Sequence, residues 1–199
     1  PSLRYINTTF VNNSAFGSRS DERAQGGALH MYHIEHVDIV DCECYNNTAD
    51  RGGAVDLYII ATVSVENSTF ENNTAISEGG GFFINATSSP TEFINSDISN
   101  NKAGTDGGAI YLITEGAYFN NITSNNNTAV RGGSSFIRGN NAVILNSTFN
   151  NNSAIYNGNE GSGIGGALDI LGDNCRLVNV TADYNNASLG GAVFVRGDN

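Results

Sequence analysis

The side chains in this sequence that could do chemistry are three histidines, three cysteines and a scattered set of carboxylates. The histidines fall together in His30-Met31-Tyr32-His33-Ile34-Glu35-His36, with Asp38, Asp41 and Glu43 following. Imidazoles and carboxylates at this density suit zinc or another divalent cation. Ligands at i, i+3 and i+6 diverge on an extended chain, however, so the segment reads as a solvated corner with His30 facing outward and no metal is assigned. Cys42 and Cys44 stand two apart on one strand, both facing inward with Cα atoms about 6.6–7 Å apart. That is near or beyond the upper limit for a disulfide. Cys175 belongs several repeats away, and all three cysteines read as free thiols filling small core slots. Cleavage of a polysaccharide would need two or three carboxylates, or a Lys or Arg base, converging on one groove. Asp38, Asp56 and Glu66 are the nearest such set, and they fall on different faces in the register derived below. The single lysine, Lys102, sits at a corner. The expectation is therefore no catalytic residue, no metal and no cofactor.

Modification offers many more candidate residues. Asn-x-Ser/Thr acceptor sequences occur at Asn7, Asn12, Asn46, Asn67, Asn72, Asn85, Asn121, Asn126, Asn146, Asn151, Asn179 and Asn186. This exceeds what random placement of 30 Asn would give. Asn7, Asn67, Asn121, Asn146 and Asn179 share the outward parity of the Thr that follows and are the better glycosylation candidates. Acceptors stacked about 4.8 Å apart would crowd bulky glycans, so partial occupancy is expected.

The elements that carry these residues come from an internal repeat. A Gly-Gly pair followed by a small and then an apolar residue recurs as Gly26-Gly27-Ala28-Leu29, Gly52-Gly53-Ala54-Val55, Gly79-Gly80-Gly81-Phe82, Gly107-Gly108-Ala109-Ile110, Gly132-Gly133-Ser134-Ser135, Gly165-Gly166-Ala167-Leu168 and Gly190-Gly191-Ala192-Val193. A Phe-x-Asn-Asn-like motif precedes each pair, from Phe10-Val11-Asn12-Asn13 to the degenerate Ala182-Asp183-Tyr184-Asn185. Between them apolar residues alternate with period two, as in Val55/Leu57 and Val63/Val65, which signals strands. No helix-period segment or helix-capping box is present. The sequence therefore predicts an all-β parallel β-helix solenoid of about seven rungs with three short sheets, a single domain over residues 1–199. Gly and Asn gain a mechanical role at its corners, where φ > 0 is needed. The column Asn13, Asn47, Asn73, Asn101, Asn127, Asn152 and Asn185 is the expected hydrogen-bonded structural ladder. An outward column follows the Gly-Gly motif: His30, Asp56, Phe83, Tyr111, Phe136, Asp169 and Phe194. Within it, Phe83, Tyr111 and Phe136 form an expected exposed contact stripe for sugar or another subunit.

The paired Gly-Gly-Ala-(Ile/Leu/Val) and Phe-x-x-Asn motifs resemble the repeat of chlamydial polymorphic outer-membrane proteins, and are also similar to Asn-rich adhesin-like surface proteins of methanogens. The resemblance spans essentially the whole chain and implies a right-handed β-helix that projects from a cell and serves adhesion or surface structure. Cys44, Ile98, Ser124 and Ala182 depart from the Phe, and Ser134 and Ser135 from the Ala and its apolar neighbour. A membrane-inserting C-terminal barrel is not expected within these 199 residues, so the resemblance is not taken to imply an autotransporter mechanism.

Composition narrows the partners. Nine Lys and Arg against twenty Asp and Glu give a formal charge of −11, which argues against nucleic acid, and no apolar run is long enough for a membrane-spanning helix. The chain opens at Pro1, starts and stops mid-rung, and neither terminus reads as a polar cap. It is expected to be a segment of a longer coil or a subunit that stacks end to end, with itself, glycans or a cell surface as partners. Arg196-Gly197-Asp198 matches a cell-attachment tripeptide, but Arg138-Gly139-Asn140 and Leu171-Gly172-Asp173 occupy the same post-strand turn, so the turn explains it. Two longer corners, Phe16 to Gln25 and Ile155 to Ile164, carry no recognisable chemistry. The expected function is an extracellular or cell-surface structural or adhesive module, N-glycosylated and non-catalytic. The alternative is a β-helix that binds or cleaves polysaccharide, and an ice-binding face on Thr9, Thr69, Thr123, Thr148 and Thr181 is broken by Glu43 and Asp97.

Overall fold

The computed structural model describes residues 1–17 and 24–197. The Phe16 to Gln25 corner lies largely outside these residues, as does Asp198 of the tripeptide. Every described element is a strand, and every strand pairing is parallel. The chain winds as a β-solenoid with four sheets rather than the expected three. Following one rung, sheet 1 contains Ser2–Ile6, His36–Val40, Thr62–Glu66, Thr91–Ile94, Ala117–Asn120, Val143–Leu145 and Arg176–Val178. Sheet 2 contains Thr9–Val11, Glu43–Tyr45, Thr69–Glu71 and Asp97–Ser99, and single bridges carry it on through Thr123, Thr148 and Thr181. Sheet 3 is a column of two-residue strands: Thr48–Ala49, Thr74–Ala75, Lys102–Ala103, Thr128–Ala129 and Ser153–Ala154. Sheet 4 contains Leu29–Tyr32, Val55–Ile60, Phe82–Ala86, Ile110–Ile113, Ser135–Arg138, Leu168–Leu171 and Val193–Arg196. Sheet 3 escapes a periodicity reading because two residues cannot display an alternation. Six pairings link the seven strands of sheet 1, so about six turns separate its ends.

The corners explain the composition. Two left-handed asparagine positions per rung bracket the short sheet 2 strand. One runs Asn7, Asp41, Asn67, Asn95, Asn121, Asn146 and Asn179; the other runs Asn12, Asn46, Asn72, Asn100, Asn126, Asn151 and Tyr184, all with φ between 49° and 59°. Asn and Asp tolerate this region because their short polar side chains bond locally. The Gly-Gly pair has a different logic. Gly52 has φ +62, whereas Gly53 lies so close to the next rung that a Cβ there would meet the Gly80 carbonyl oxygen at 2.2 Å. Only a residue without a side chain fits.

Inside the coil the alternating apolar residues form one continuous core. Phe70, Phe82, Phe93, Phe119 and Phe149 are fully buried, with ring centroids 4.3 Å apart for Phe70–Phe82 and 5.2 Å for Phe82–Phe93 and Phe93–Phe119. Burial of each such side chain is worth about 1.5–3 kcal/mol. Cys42 and Cys44 face inward as free thiols and are buried, while the free Cys175 is half-buried. Burial pushes the Cys44 thiol up to about 12, with Cys42 adding to the rise.

One column of the core is polar. The Nδ2 of Asn13, Asn47 and Asn73 each donates to the Oδ1 of the asparagine one rung on, at 3.0 Å. Asn127 and Asn152 do the same at 3.1 Å. The same Oδ1 atoms accept the backbone N–H of the preceding asparagine, which carries the column across Asn101–Asn127 at 2.8 Å. The second Nδ2 hydrogen donates to the carbonyl of the motif's aromatic position one rung back, for example Asn101 to Phe70 and Asn185 to Phe149. Full pairing is what makes buried amides tolerable. A second polar column was not anticipated: Ser68, Ser96 and Ser147 each accept a backbone N–H from the rung before, from Cys42, Ser68 and Ile122 respectively.

Candidate functional site

With the interior filled, what the coil can offer is its outer surface, and sheet 4 carries the most differentiated part of it. Strand alternation places His30, Asp56, Phe83, Tyr111, Phe136, Asp169 and Phe194 in one vertical register. Phe83, Tyr111 and Phe136 stack face to face, with centroids 5.1 Å apart at both steps and planes within 6° and 10°. The rings are aligned as the register requires, but they do not form the open stripe expected from parity. Phe83 is 6% exposed and Phe136 3%. The Arg51 guanidinium lies 3.9 Å from the Phe83 ring centroid and that of Arg131 lies 4.6 Å from Phe136, capping both in cation–π contacts. Tyr111 alone of the three stays partly accessible, and burial raises its phenol above the ordinary value.

The same two arginines hold the buried carboxylates of the column. Arg51 reaches Asp56 with Nε at 2.6 Å from Oδ2 and Nη2 at 3.2 Å from Oδ1. His30 Nδ1 completes Asp56 from the rung before, 3.1 Å from Oδ1. Arg131 reaches Asp169 Oδ2 through Nε at 3.0 Å and Nη2 at 2.9 Å. Asp169 Oδ1 has no hydrogen-bond partner among the described residues, because Phe136 and Phe194 stand where a histidine stands beside Asp56. Burial raises the Asp169 carboxyl, partly offset by Arg131.

The other candidates separate. His36 bonds Asp38 Oδ1 through Nε2 at 2.8 Å and Thr62 Oγ1 through Nδ1 at 2.7 Å, from the start of a sheet 1 strand rather than a corner. His33 packs on Tyr32 with centroids 4.4 Å apart. The three imidazoles thus have three different partners, and among the described residues no three His, Cys, Asp or Glu side chains gather as a metal site. Asp38 and Glu66 share the outer face of sheet 1, where Asp38 pairs with Ser64 and Val40 with Glu66, while Asp56 lies on sheet 4. The first two therefore lie on one face, contrary to the register expectation. Asp56 stays apart with both oxygens engaged by Arg51 and His30.

The acceptor asparagines line the corners. All twelve are exposed except the half-buried Asn85, and all but Asn85 and Asn186 hold left-handed backbone. Within the first corner column Asn121, Asn146 and Asn179 already commit Nδ2, to Asn95 at 2.9 Å, Asn120 at 3.0 Å and Asn146 at 2.9 Å. Asn12, Asn46, Asn72, Asn126 and Asn151 have no side-chain hydrogen bond among the described residues, so their amides are the freer ones. The Thr column holds Thr9, Glu43, Thr69, Asp97, Thr123, Thr148 and Thr181 in one line, with its two acidic interruptions.

No curated protein and no solved structure matches the chain. A family match is found over residues 95–112, which run from a corner asparagine through the ladder residue Asn101 and the Gly107-Gly108 pair into sheet 4, and so contain both motifs of one rung. That stretch matches the Chlamydia polymorphic membrane protein (Chlamydia_PMP) repeat.

Proposed function

We propose that the chain is a non-catalytic β-solenoid module of a cell-surface or outer-membrane protein. It acts as a rigid acidic rod that continues end to end and meets partners along its sides, and it carries glycans on some of its corner asparagines. The observation that carries this reading is the polarity of the asparagine column. Each amide-to-amide bond of the column runs from Nδ2 to the Oδ1 of the higher-numbered rung. At one end the Oδ1 of Asn13 accepts nothing from the described residues. At the other, the backbone N–H of Asn185 and one hydrogen of its Nδ2 have no partner among the described residues. The two end faces are thus complementary to each other and not to themselves, the condition for a head-to-tail contact. Apolar exposure concentrates in the same rungs: Leu3, Ile6 and Val11 at one end, Val178, Leu189 and Val195 at the other are 37–54% exposed. A further rung of a longer chain and a second copy satisfy the same surface.

Sedimentation velocity tests the stacking. The 199-residue chain forms species growing with concentration in whole multiples of one rod, and Val195→Lys or Leu3→Lys, each charging one end face, returns it to single rods. A monodisperse single rod at all concentrations overturns self-stacking. For the absence of catalysis, incubation with neutral and anionic polysaccharides should release no new reducing ends or unsaturated products. Intact mass of the protein from its own cells checks the glycans, as additions localised to Asn-x-Ser/Thr peptides.

A further inference from the structure

Near the upper end of sheet 4 the outer face opens into a cavity of about 310 Å³ lined by Asp106, Tyr111, Arg131, Phe136, Arg138 and Arg196. In a chain of charge −11 with nine cationic side chains, three of the nine converge here. Arg131 is engaged with Asp169. Arg138 and Arg196 are exposed and have no carboxylate partner among the described residues. They stand in the same column of sheet 4 with Leu171 between them, two rungs or roughly 9.6 Å apart along the coil. A carboxylate seated between them would take donors from both guanidiniums, whose planar forks match its geometry.

Two further observations narrow the ligand. The volume is at the lower end of what small-molecule sites enclose, far more than a bare inorganic anion needs, since a water molecule occupies about 30 Å³. Beside the cavity, Asp169 is fully buried with Oδ1 unpaired, where the comparable Asp56 is completed by His30. That carboxylate keeps negative charge just behind the arginines, and on the cavity wall itself the Tyr111 hydroxyl supplies a polar contact. A molecule with one carboxylate and several hydroxyls meets all of these demands.

We propose that this cavity binds a carboxylate-bearing saccharide, with the carboxylate between Arg138 and Arg196 and ring hydroxyls towards Tyr111. The site is built within one copy and does not depend on end-to-end stacking. Its pH response follows from the groups facing it. Asp106 is raised to about 6 by burial and by the nearby Glu78 and Asp169, with Arg131 opposing. Acidification through that value removes a negative charge from a cavity whose arginines stay charged, so binding tightens as pH falls.

Calorimetric titration of the whole chain with a galacturonate trisaccharide, the corresponding neutral galactose trisaccharide and sodium sulfate separates the possibilities. The acidic sugar binds, the neutral one at least about tenfold more weakly, and sulfate fails to displace the acidic sugar at equal concentration. Arg138→Gln and Arg196→Gln each cost about tenfold or more. Arg4→Gln on sheet 1 costs nothing, and all three variants keep the wild-type melting temperature. Affinity rises between about pH 7.5 and about pH 5.5, and this rise is lost in Asp106→Asn. Equal binding of the two sugars, full displacement by sulfate, no heat with any of the three, or unchanged affinity in the two arginine variants would overturn the proposal.

Discussion

At the scale of single residues the buried asparagines carry the largest polar stake. Replacing Asn127 by Ala leaves the Asn101 N–H without a partner in the core and takes a donor from the Ile98 carbonyl, the Ser124 hydroxyl and the Asn152 Oδ1. A loss of about 3 kcal/mol or more is expected on denaturant unfolding, against about 1 kcal/mol for Asn185→Ala, whose partners can turn to water in the last rung. Asp106 gives a second test. Its folded value of about 6 lies above the ordinary 3.8, so between those values the folded chain keeps a proton that the unfolded chain has released. The carboxyl therefore costs stability above about pH 6, and the cost disappears as pH falls towards 4. Thermal melts should show Asp106→Asn more stable than the parent at pH 7, with the gap closing at pH 5. Sequence spacing was enough to pick out the ladder residues and the inward thiols, because both follow from period two. It could not show that Arg51 and Arg131 cover the aromatic column. Alternation tells which face a ring occupies, not which long side chain from a neighbouring corner reaches over it.

At the scale of elements, the rung is a strand–corner unit whose departures compensate one another. Ser124 stands where the motif has Phe, and Ser134 and Ser135 where it has Ala and an apolar residue. All three belong to the same rung and are buried, with Ser124 Oγ 2.7 Å from Ser134 Oγ and Ser134 Oγ 3.2 Å from Ser135 Oγ. Ser124 Oγ also donates to the Ile98 carbonyl and accepts from Asn127. Two departures in one repeat were a signal available in the sequence; their meeting was not, because it needs the curvature of the coil. Ser124→Ala should cost about 2 kcal/mol in an equilibrium denaturation. The Gly-Gly pair supplies the sharper contrast. Gly53→Ala drives a Cβ against the Gly80 backbone and should abolish the cooperative melt, whereas Gly158→Ala meets nothing within 4 Å and pays only for its positive φ, about 1 kcal/mol. The sheet count was the element-level miss, since the third sheet consists of Thr-Ala pairs that a periodicity reading absorbs into a corner.

For the whole molecule, stacked parallel rungs leave a filled core, an acidic exterior and two unlike ends. Repeat class and parallel stacking were legible because a solenoid repeats one short pattern, and each rung contacts only its neighbours, whereas the shared face of Asp38 and Glu66 was not. The surface was much less legible: the sheet 4 cavity draws Asp106, Arg131, Arg138 and Arg196 from three rungs spread over four levels of the coil, positions that no motif links. Sideways partners meet a rod on which three of nine basic groups converge in that one place, so binding of acidic ligands there should fall with added salt. The central claim, that this rod continues through its ends, is tested most directly by electron cryomicroscopy of the associated species. The expected density has rungs running through the junction at an unbroken spacing of about 4.8 Å, with Asn185 of one copy in line with Asn13 of the next. Copies joined side by side, or ends meeting like to like, would contradict it.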